Sequence, residues 1–301
     1  MYIRNKFRYA RENKNNFLCK QRQINIHYIT KKIFIKSDKR LYGYTNIQMY
    51  TIVLAGGLGK RMNSDIPKVL HKVNNIPMIC LVIQEAFKLN ATKVLVVVGK
   101  YKDIIKETIQ AFFSNKEVNK ITYIVQEDKT TNGTTKTMGT GNAVHCCIPY
   151  LTKIRKSGDE NVVILSGDVP LIKHTTIELL LTKQNSLLTT LLRNPFGCGR
   201  IFANNESEII KIVEEKDCNE EERKCKQVNC GIYNLNVDVI IECIPLITNN
   251  NKSQEYYLTD IVEIARSKQI PIHGVVLPVN NASEILNVNT PEDLEIANAR
   301  A

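Results

Sequence analysis

From Met49 onward, short apolar runs alternate with longer segments in which apolar residues recur at helical spacing. The runs Tyr50–Leu54, Val94–Val98, Ile121–Val125 and Val162–Leu165 predict strands, and Met78–Leu89, Asp103–Phe113 and Asn142–Leu151 predict helices between them. Alternation of this kind builds an α/β fold: a mostly parallel sheet covered by helices on both faces, with ligands at the carboxyl ends of the strands. After Leu192 the pattern is more mixed. Turns are expected at Asn194-Pro195 and Asn204-Asn205, a charged run covers Glu214–Lys226, and strands are expected near Gly231–Leu235 and Ile272–Leu277. This half reads as a lid or insertion packed on the same sheet. No internal repeat is visible, and no run of six-residue repeats of the kind that builds a left-handed β-helix.

Residues 1–48 show no sustained period and read as a poorly ordered basic extension, which leaves 49–301 as the folded domain. That division changes the meaning of the charge. The net charge of +11 suggests nucleic acid, but the first 48 residues hold twelve Lys and Arg against Glu12 and Asp38, so residues 49–301 carry 29 basic against 28 acidic groups. A nucleic-acid role therefore attaches to the tail alone. The favoured account of the tail is an upstream extension of a chain that could equally start at Met49, ahead of a basic arm that touches nucleic acid. An organelle-targeting peptide comes last, because transit peptides are usually Ser-rich and the tail has a single serine, Ser37.

With 301 residues, 43% hydrophobic and 24% charged, the composition is that of a soluble globular protein. No apolar stretch is long enough to span a membrane and no secretory leader is recognisable, so no membrane partner is expected. Nine cysteines, an odd number without a C-x-x-C pair, point to reduced thiols and a cytoplasmic location. Neither the spacing of Cys218, Cys225, Cys230 and Cys243 nor the five histidines fits a zinc template.

The first predicted strand runs directly into Leu54-Ala55-Gly56-Gly57-Leu58-Gly59-Lys60-Arg61-Met62, followed by Pro67-Lys68. Glycines let backbone N–H groups approach an anion closely, and Lys60, Arg61 and Lys68 surround it with positive charge. The alternative is an ordinary glycine-rich turn. The loop fits neither a Walker motif, which needs Gly at Leu54, nor a dinucleotide loop, which needs Gly at Met62. The strand Val162–Leu165 ends in Ser166-Gly167-Asp168-Val169-Pro170, which places a carboxylate at a strand end, where Mg²⁺ and substrate phosphates are expected; a plain turn is again the alternative.

Taken together, these residues resemble the sugar-phosphate nucleotidyltransferases, most closely the uridylyltransferase domain of the bacterial bifunctional N-acetylglucosamine-1-phosphate uridylyltransferases. The resemblance runs from Met49 to about Ala299. It is carried by Leu54, Gly57, Gly59, Arg61, Met62, Pro67 and Lys68, then by Gly139-Thr140-Gly141, Gly167–Leu171, Gly199-Arg200-Ile201, Ile212-Val213-Glu214, Asn229 with Gly231-Ile232, Glu255–Asp260 and Asn287-Val288-Asn289. It implies a Rossmann-like nucleotidyltransferase fold with a mixed lid and sugar-binding portion, and UTP and N-acetylglucosamine 1-phosphate as substrates. Leu54, Ala55, Gly57 and Gly59 would line the nucleotide, with Arg61 and Lys68 as the catalytic cations. Gln126, Gly139 and Thr140 would read the base, Gly199, Glu214 and Asn229 would contact the sugar, and Asp168 with Asn289 would hold Mg²⁺.

Each of these has a structural alternative. Asn229 before Gly231 shapes a turn, Glu214 sits in an acidic run of the kind that is usually a solvated face, and Asn289-Thr290-Pro291 reads as the N-cap of a helix Glu292–Ala299. The chain also departs from the family. Glu127–Met138 is longer than the usual linker, and Ser166 and Cys198 stand where tyrosines are common. No acetyltransferase segment follows Ala301, so acetyl transfer is not expected. The rival readings are a thymidylyltransferase acting on glucose 1-phosphate, a non-catalytic subunit that keeps the fold for assembly, and an RNA-binding protein acting through its tail. Nothing in the sequence specifies an oligomeric state.

Overall fold

The apolar runs at Met49–Ala55, Lys93–Val98 and Asn161–Ser166 are central strands buried on both faces, whereas Ile121–Val125 is a half-exposed edge strand. The computed structural model describes residues 49–301 apart from 128, 132, 133, 137 and 157–159, with 129–131 and 134–136 described by backbone alone. The reading of 1–48 as an extension lies outside the described residues. The strands are β1 (Met49–Ala55), β2 (Lys72–Val73), β3 (Ile76–Pro77), β4 (Lys93–Val98), β5 (Ile121–Val125), β6 (Lys129–Thr131), β7 (Thr134–Lys136), β8 (Asn161–Ser166), β9 (Ser186–Leu191), β10 (Arg200–Ala203), β11 (Ile209–Val213), β12 (Gln227–Asn236) and β13 (His273–Val276).

β8, β1, β4 and β5 lie side by side in that order and all run parallel. Their side chains alternate between two cores. Val53, Val94, Val96, Val98, Val163 and Leu165 pack with Ile79 and Ile83 of the helix Met78–Lys88 and with Ile105 and Ile109 of the helix Lys102–Phe112. Ile52, Leu95, Val97, Val162 and Ile164 pack on the opposite face against Val144, Leu151, Ile240 and Ile261. Burial on both faces is why β8, β1 and β4 read as continuous apolar runs rather than alternating ones.

The crossovers from β1 to β4 and from β4 to β5 use helices on the first face, and the return from β5 to β8 uses helices on the second. The winding therefore reverses between β1 and β8. A crevice opens at such a reversal, outside the carboxyl ends of the two strands. Leu54 pairs with Ser166 across it.

The second half continues the sheet instead of capping it. β12 pairs antiparallel with β8 through Tyr233–Asn236 and with β9 along its other edge, β10 and β11 extend it, and β13 pairs parallel with β9. The expected lid is thus a mixed extension of one sheet. The expected helix Asn142–Leu151 is two helices, Thr140–His145 and Ile148–Ile154, because Pro149 has no N–H to extend the first ladder and sits instead in the opening turn of the second. The C-terminal helix Pro291–Arg300 packs through Ala297 on Val73 and Met78, beside Val288, which fixes the segment that carries Asn289. No described helix is long and apolar enough to cross a membrane.

Glu85, on the helix Met78–Lys88, ties the first face together. Its Oε2 accepts from the His174 backbone N–H at 2.7 Å and lies 2.8 Å from His174 Nδ1, while Lys88 Nζ reaches Oε1 at 2.5 Å. Burial alone raises the Glu85 carboxyl, but the hydrogen bonds from Lys88 and His174 outweigh it and the net shift is downward. A depressed carboxyl contributes stability that is present above its unfolded pKa and lost as pH falls through its folded pKa. Between about pH 5 and about pH 3, urea midpoints are expected to fall more steeply for the native protein than for Glu85→Gln. Parallel curves would remove this role.

Candidate active site

β1 delivers its chain into the crevice at Ala55. One of the following glycines, Gly59, is demanded by the protein itself, and Gly56 sits close under the Gln126 side chain. A Cβ on Gly56 would lie 2.7 Å from Gln126 Oε1, and one on Gly59, held at φ +62°, would lie 2.7 Å from Lys68 Cβ. Gly57 is different. Among the described residues, its two chain neighbours aside, no heavy atom lies within 4 Å of where its Cβ would be, so its bare backbone borders open space. Met62 is buried behind this loop, and Val69 and Leu70 are the buried residues of the short helical turn Lys68–Leu70. The apolar residues anchor the loop and leave the cations at its surface.

Lys68, Asp168, Asn289 and Arg61 meet at the mouth of the crevice although they come from three distant parts of the chain. Lys68 Nζ pairs with Asp168 Oδ2 and donates to Asn289 Oδ1 at 3.0 Å, and Arg61 Nη2 donates to the same Asn289 oxygen at 2.9 Å. Asp168 is 6% exposed, and its backbone carbonyl accepts from Val288 N–H at 2.9 Å, which binds the end of β8 to the segment before the C-terminal helix. Thr290 caps that helix in a capping box with Asp293, as its sequence suggests, and the Asp293 carboxylate also takes the Asn289 N–H at 2.9 Å. Asn289 is therefore free of capping duty in its side-chain oxygen, which points at the cations.

Gln126 and the segment Met138–Gly141 form the far wall. Gln126 Nε2 donates to Gly139 O and to Asn142 Oδ1, both at 3.0 Å. The loop is then latched to Glu255–Leu258: Tyr256 N–H donates to Met138 O at 3.0 Å, Gly141 N–H to Tyr256 O at 2.8 Å, and Leu258 N–H to Thr140 Oγ1 at 3.2 Å. Gly139, at φ +89°, lies so close to Tyr256 that a Cβ would fall 2.5 Å from its carbonyl oxygen. Within the long segment Glu127–Met138, β6 and β7 pair antiparallel.

Gly199, Glu214 and Asn229 gather on the antiparallel side. Asn229 N–H donates to Gly199 O at 2.9 Å, and a Cβ on Gly199 would come within 3.5 Å of both Glu214 carboxylate oxygens. Glu214 is half-buried, not solvated, because Thr259 Oγ1 donates to its Oε1 at 2.9 Å and the neighbouring Glu215 is held by the buried Arg200 at 2.5 Å. Burial raises the Glu214 carboxyl most, the Thr259 hydrogen bond opposes it, and Asp217 and Glu255 add to it. Asp260 is pushed up to about 6 by burial and then by Glu214, Glu263 and Asp217. Asn229 shapes an irregularity within β12 rather than a turn: the register with β9 shifts between Asn229 and Tyr233, the Asn229 Oδ1 accepts from Gly231 N–H at 3.0 Å, with Gly231 at φ +71°, and its Nδ2 donates to Tyr233 Oη at 2.8 Å.

A cleft of ≈ 360 Å³ joins these walls. Leu54, Ala55, Gly57, Lys68, Gln126, Gly139, Thr140, Asp168 and Glu214 line it, whereas Gly59, Arg61, Gly199, Asn229 and Asn289 stand behind or beside it. Among the described residues no set of three or more His, Cys, Asp or Glu side chains is placed to hold a metal.

Residues 51–193 match the family model described as a MobA-like NTP transferase domain. A probable UDP-N-acetylglucosamine pyrophosphorylase of Acanthamoeba polyphaga mimivirus is 42% identical over 264 residues, covering 84% of this chain and 97% of that protein. The chain belongs to this nucleotidyltransferase family. It is also 37% identical over 252 residues to the bifunctional protein GlmU of Clostridium botulinum (strain ATCC 19397 / Type A), covering 82% of this chain and half of that relative's length. Two solved structures share the fold. They are a UDP-glucose pyrophosphorylase complexed with UDP-glucose (TM-score 0.62, 16% identity, 84% of this chain and 98% of that one) and a putative glucose-1-phosphate thymidylyltransferase from Bacillus anthracis (TM-score 0.61, 20% identity, 84% and 95%).

Several lining residues of this nucleotidyltransferase have no role in the sequence pattern: Val69, Ala143, Ser166, Glu255 and Tyr257. Glu255 and Tyr257 belong to the Glu255–Asp260 motif, whose regularity is the one signal that pointed to them. Nothing in the spacing marks Ser166.

Proposed function

We propose that this chain is a UDP-N-acetylglucosamine pyrophosphorylase, which joins UTP to N-acetylglucosamine 1-phosphate and releases pyrophosphate, with Mg²⁺, in the cytoplasm. The observation that carries the reading is the convergence of Lys68 and Arg61 on Asp168 and Asn289 beside an open glycine loop. The 42% identity to a relative bearing that name over 97% of its length supports the choice of base and sugar.

The chemistry needs little from side-chain acids and bases. A phosphate monoester has a second pKa near 6, so a sugar 1-phosphate is already an anionic nucleophile at neutral pH. Its oxygen attacks the α-phosphorus, a new P–O bond forms, and the α–β bridging P–O bond breaks with its electron pair leaving on pyrophosphate. What remains is to align two polyanions and to neutralise charge that develops on the α-phosphate and the leaving group. In this reading Lys68 and Arg61 supply fixed positive charge at the triphosphate, the Gly57 backbone leaves room for it, and Gln126 with Gly139 and Thr140 faces the base. Glu214, with Gly199 and Asn229 behind it, faces the sugar. The latch from Glu255 to Leu258 touches both the base loop and, through Thr259, Glu214, so it keeps the two substrate walls at one separation.

The donor set suits Mg²⁺. Asp168 Oδ2 and Asn289 Oδ1 already address one cation, the Lys68 ammonium, and both are the hard oxygens Mg²⁺ takes when substrate phosphates and water complete its shell. When bound, Mg²⁺ would offset the charge of the phosphates.

The test is a panel of UTP and dTTP against N-acetylglucosamine 1-phosphate and glucose 1-phosphate, with and without Mg²⁺, read by pyrophosphate release. The highest kcat/KM is expected for UTP with N-acetylglucosamine 1-phosphate, and only with Mg²⁺. Preference for dTTP with glucose 1-phosphate would overturn the substrate assignment, and silence across the panel would favour a non-catalytic subunit.

A further inference from the structure

Ser166 is the last residue of β8, opposite Leu54 of β1, and it borders the cleft. Its Oγ donates to Asp168 Oδ1 at 2.7 Å. Among the described residues this hydroxyl is the one hydrogen-bond partner of Oδ1, while Oδ2 is taken by Lys68. The main chain around the carboxylate is fixed separately, by Gly167 N–H on Leu54 O at 2.9 Å and by Val288 N–H on Asp168 O at 2.9 Å. That leaves the carboxylate torsion, which is broad and nearly two-fold unless each oxygen has its own partner. The short serine stem, at a position where the resembled family commonly carries tyrosine, brings a hydroxyl back onto residue i+2.

We propose that Ser166 is a positioning residue: by holding Oδ1 it turns Oδ2 of Asp168 toward Lys68 and Asn289, so that the pair presents two converging oxygens to a divalent cation carried in on a nucleoside triphosphate. The inference rests on the metal role given above to Asp168 and Asn289. It assigns the serine no contact with substrate. Hydrogen-bond partners one shell behind a metal ligand matter because they set its orientation, and losing one typically weakens metal binding or activity by about 10–100-fold.

The experiment follows binding of Mn²⁺–UTP, with Mn²⁺ as the spectroscopic stand-in for Mg²⁺, to the full chain by water-proton relaxation enhancement, and of metal-free UTP by calorimetry. The proteins are the native chain, Ser166→Ala, Ser166→Thr and Asp168→Asn. Ser166→Ala is expected to bind Mn²⁺–UTP about 10–100-fold more weakly, with metal-free UTP unchanged, and Ser166→Thr to recover to within about threefold of the native chain. Ser166→Ala binding Mn²⁺–UTP as the native chain does would overturn the proposal, as would a threonine variant as weak as the alanine one, since the hydroxyl would then be irrelevant. Asp168→Asn separates the two levels of the argument: if it keeps native Mn²⁺–UTP affinity, the metal reading itself fails, whatever the serine does.

Discussion

Lys68→Ala is expected to slow pyrophosphate release by about 10²–10³-fold, the usual cost of removing one preorganised charge from a transition state. Lys68 is the hub of the site, since its ammonium touches both Asp168 and Asn289 while Arg61 reaches only Asn289. In the reading proposed above, its removal leaves the divalent cation at Asp168 and Asn289 to offset the phosphate charge without the ammonium beside it. If the contact with the leaving pyrophosphate is made chiefly in the transition state, kcat and kcat/KM fall together and KM for UTP changes little. Asp168→Asn is expected to lose a similar factor by another route, with a large rise in the Mg²⁺ concentration needed for half-maximal rate. The pair is diagnostic: one variant is insensitive to added Mg²⁺, the other is partly rescued by it. Near-native turnover in purified Lys68→Ala would sink the assignment of this cleft as the reaction centre.

The parts of the molecule that were legible in the sequence are those decided by local pattern. Strands buried on both faces announce themselves as apolar runs, and the alternation with helices fixes a parallel sheet and puts chemistry at strand ends, where Gly57 and Asp168 in fact lie. What is decided by long-range contact was not legible in this way. Lys68 meets Asp168 and Asn289 across 100 and 221 residues, and only resemblance brought them together beforehand. Glu214 shows the same limit from the other side. An acidic run looks solvated, yet β11 turns Ile212 into the core and Thr259, 45 residues on, covers the carboxylate two positions later. The break at Cys146–Cys147 was locally readable from Pro149, but the apolar period on both sides of it is strong enough to suggest one helix. Ser166 was visible only as a departure from tyrosine. Its use depends on the rotamer of a carboxylate two residues away.

Two glycines in the cleft separate demands of the fold from demands of the ligand, and exchanging each for alanine gives opposite results. Gly139 has φ +89° and ψ 172°, a region that is essentially closed to L side chains and costs about 1–3 kcal/mol to occupy. Its Cβ would also meet Tyr256 O at 2.5 Å, Tyr256 N at 2.9 Å and Glu255 Cβ at 3.0 Å, two of them backbone atoms of the latch that holds Gly141 and Met138. Relief requires the latch to open, and in the reading proposed above the latch keeps Thr140 and Gln126 against the base. Gly139→Ala should therefore lower the urea unfolding free energy by about 1–3 kcal/mol and raise KM for the nucleotide by roughly tenfold or more. Gly57 carries no such constraint, because among the described residues, its chain neighbours aside, no heavy atom lies within 4 Å of its Cβ position. Gly57→Ala should leave the unfolding curve where it is while obstructing the triphosphate, so that activity falls with stability intact. The expectation is thus a crossed pattern, stability lost at Gly139 and function alone lost at Gly57. An active, stable Gly139→Ala would mean the latch does not hold the base wall, and an active Gly57→Ala would mean that the open space beside β1 is not where the phosphates lie.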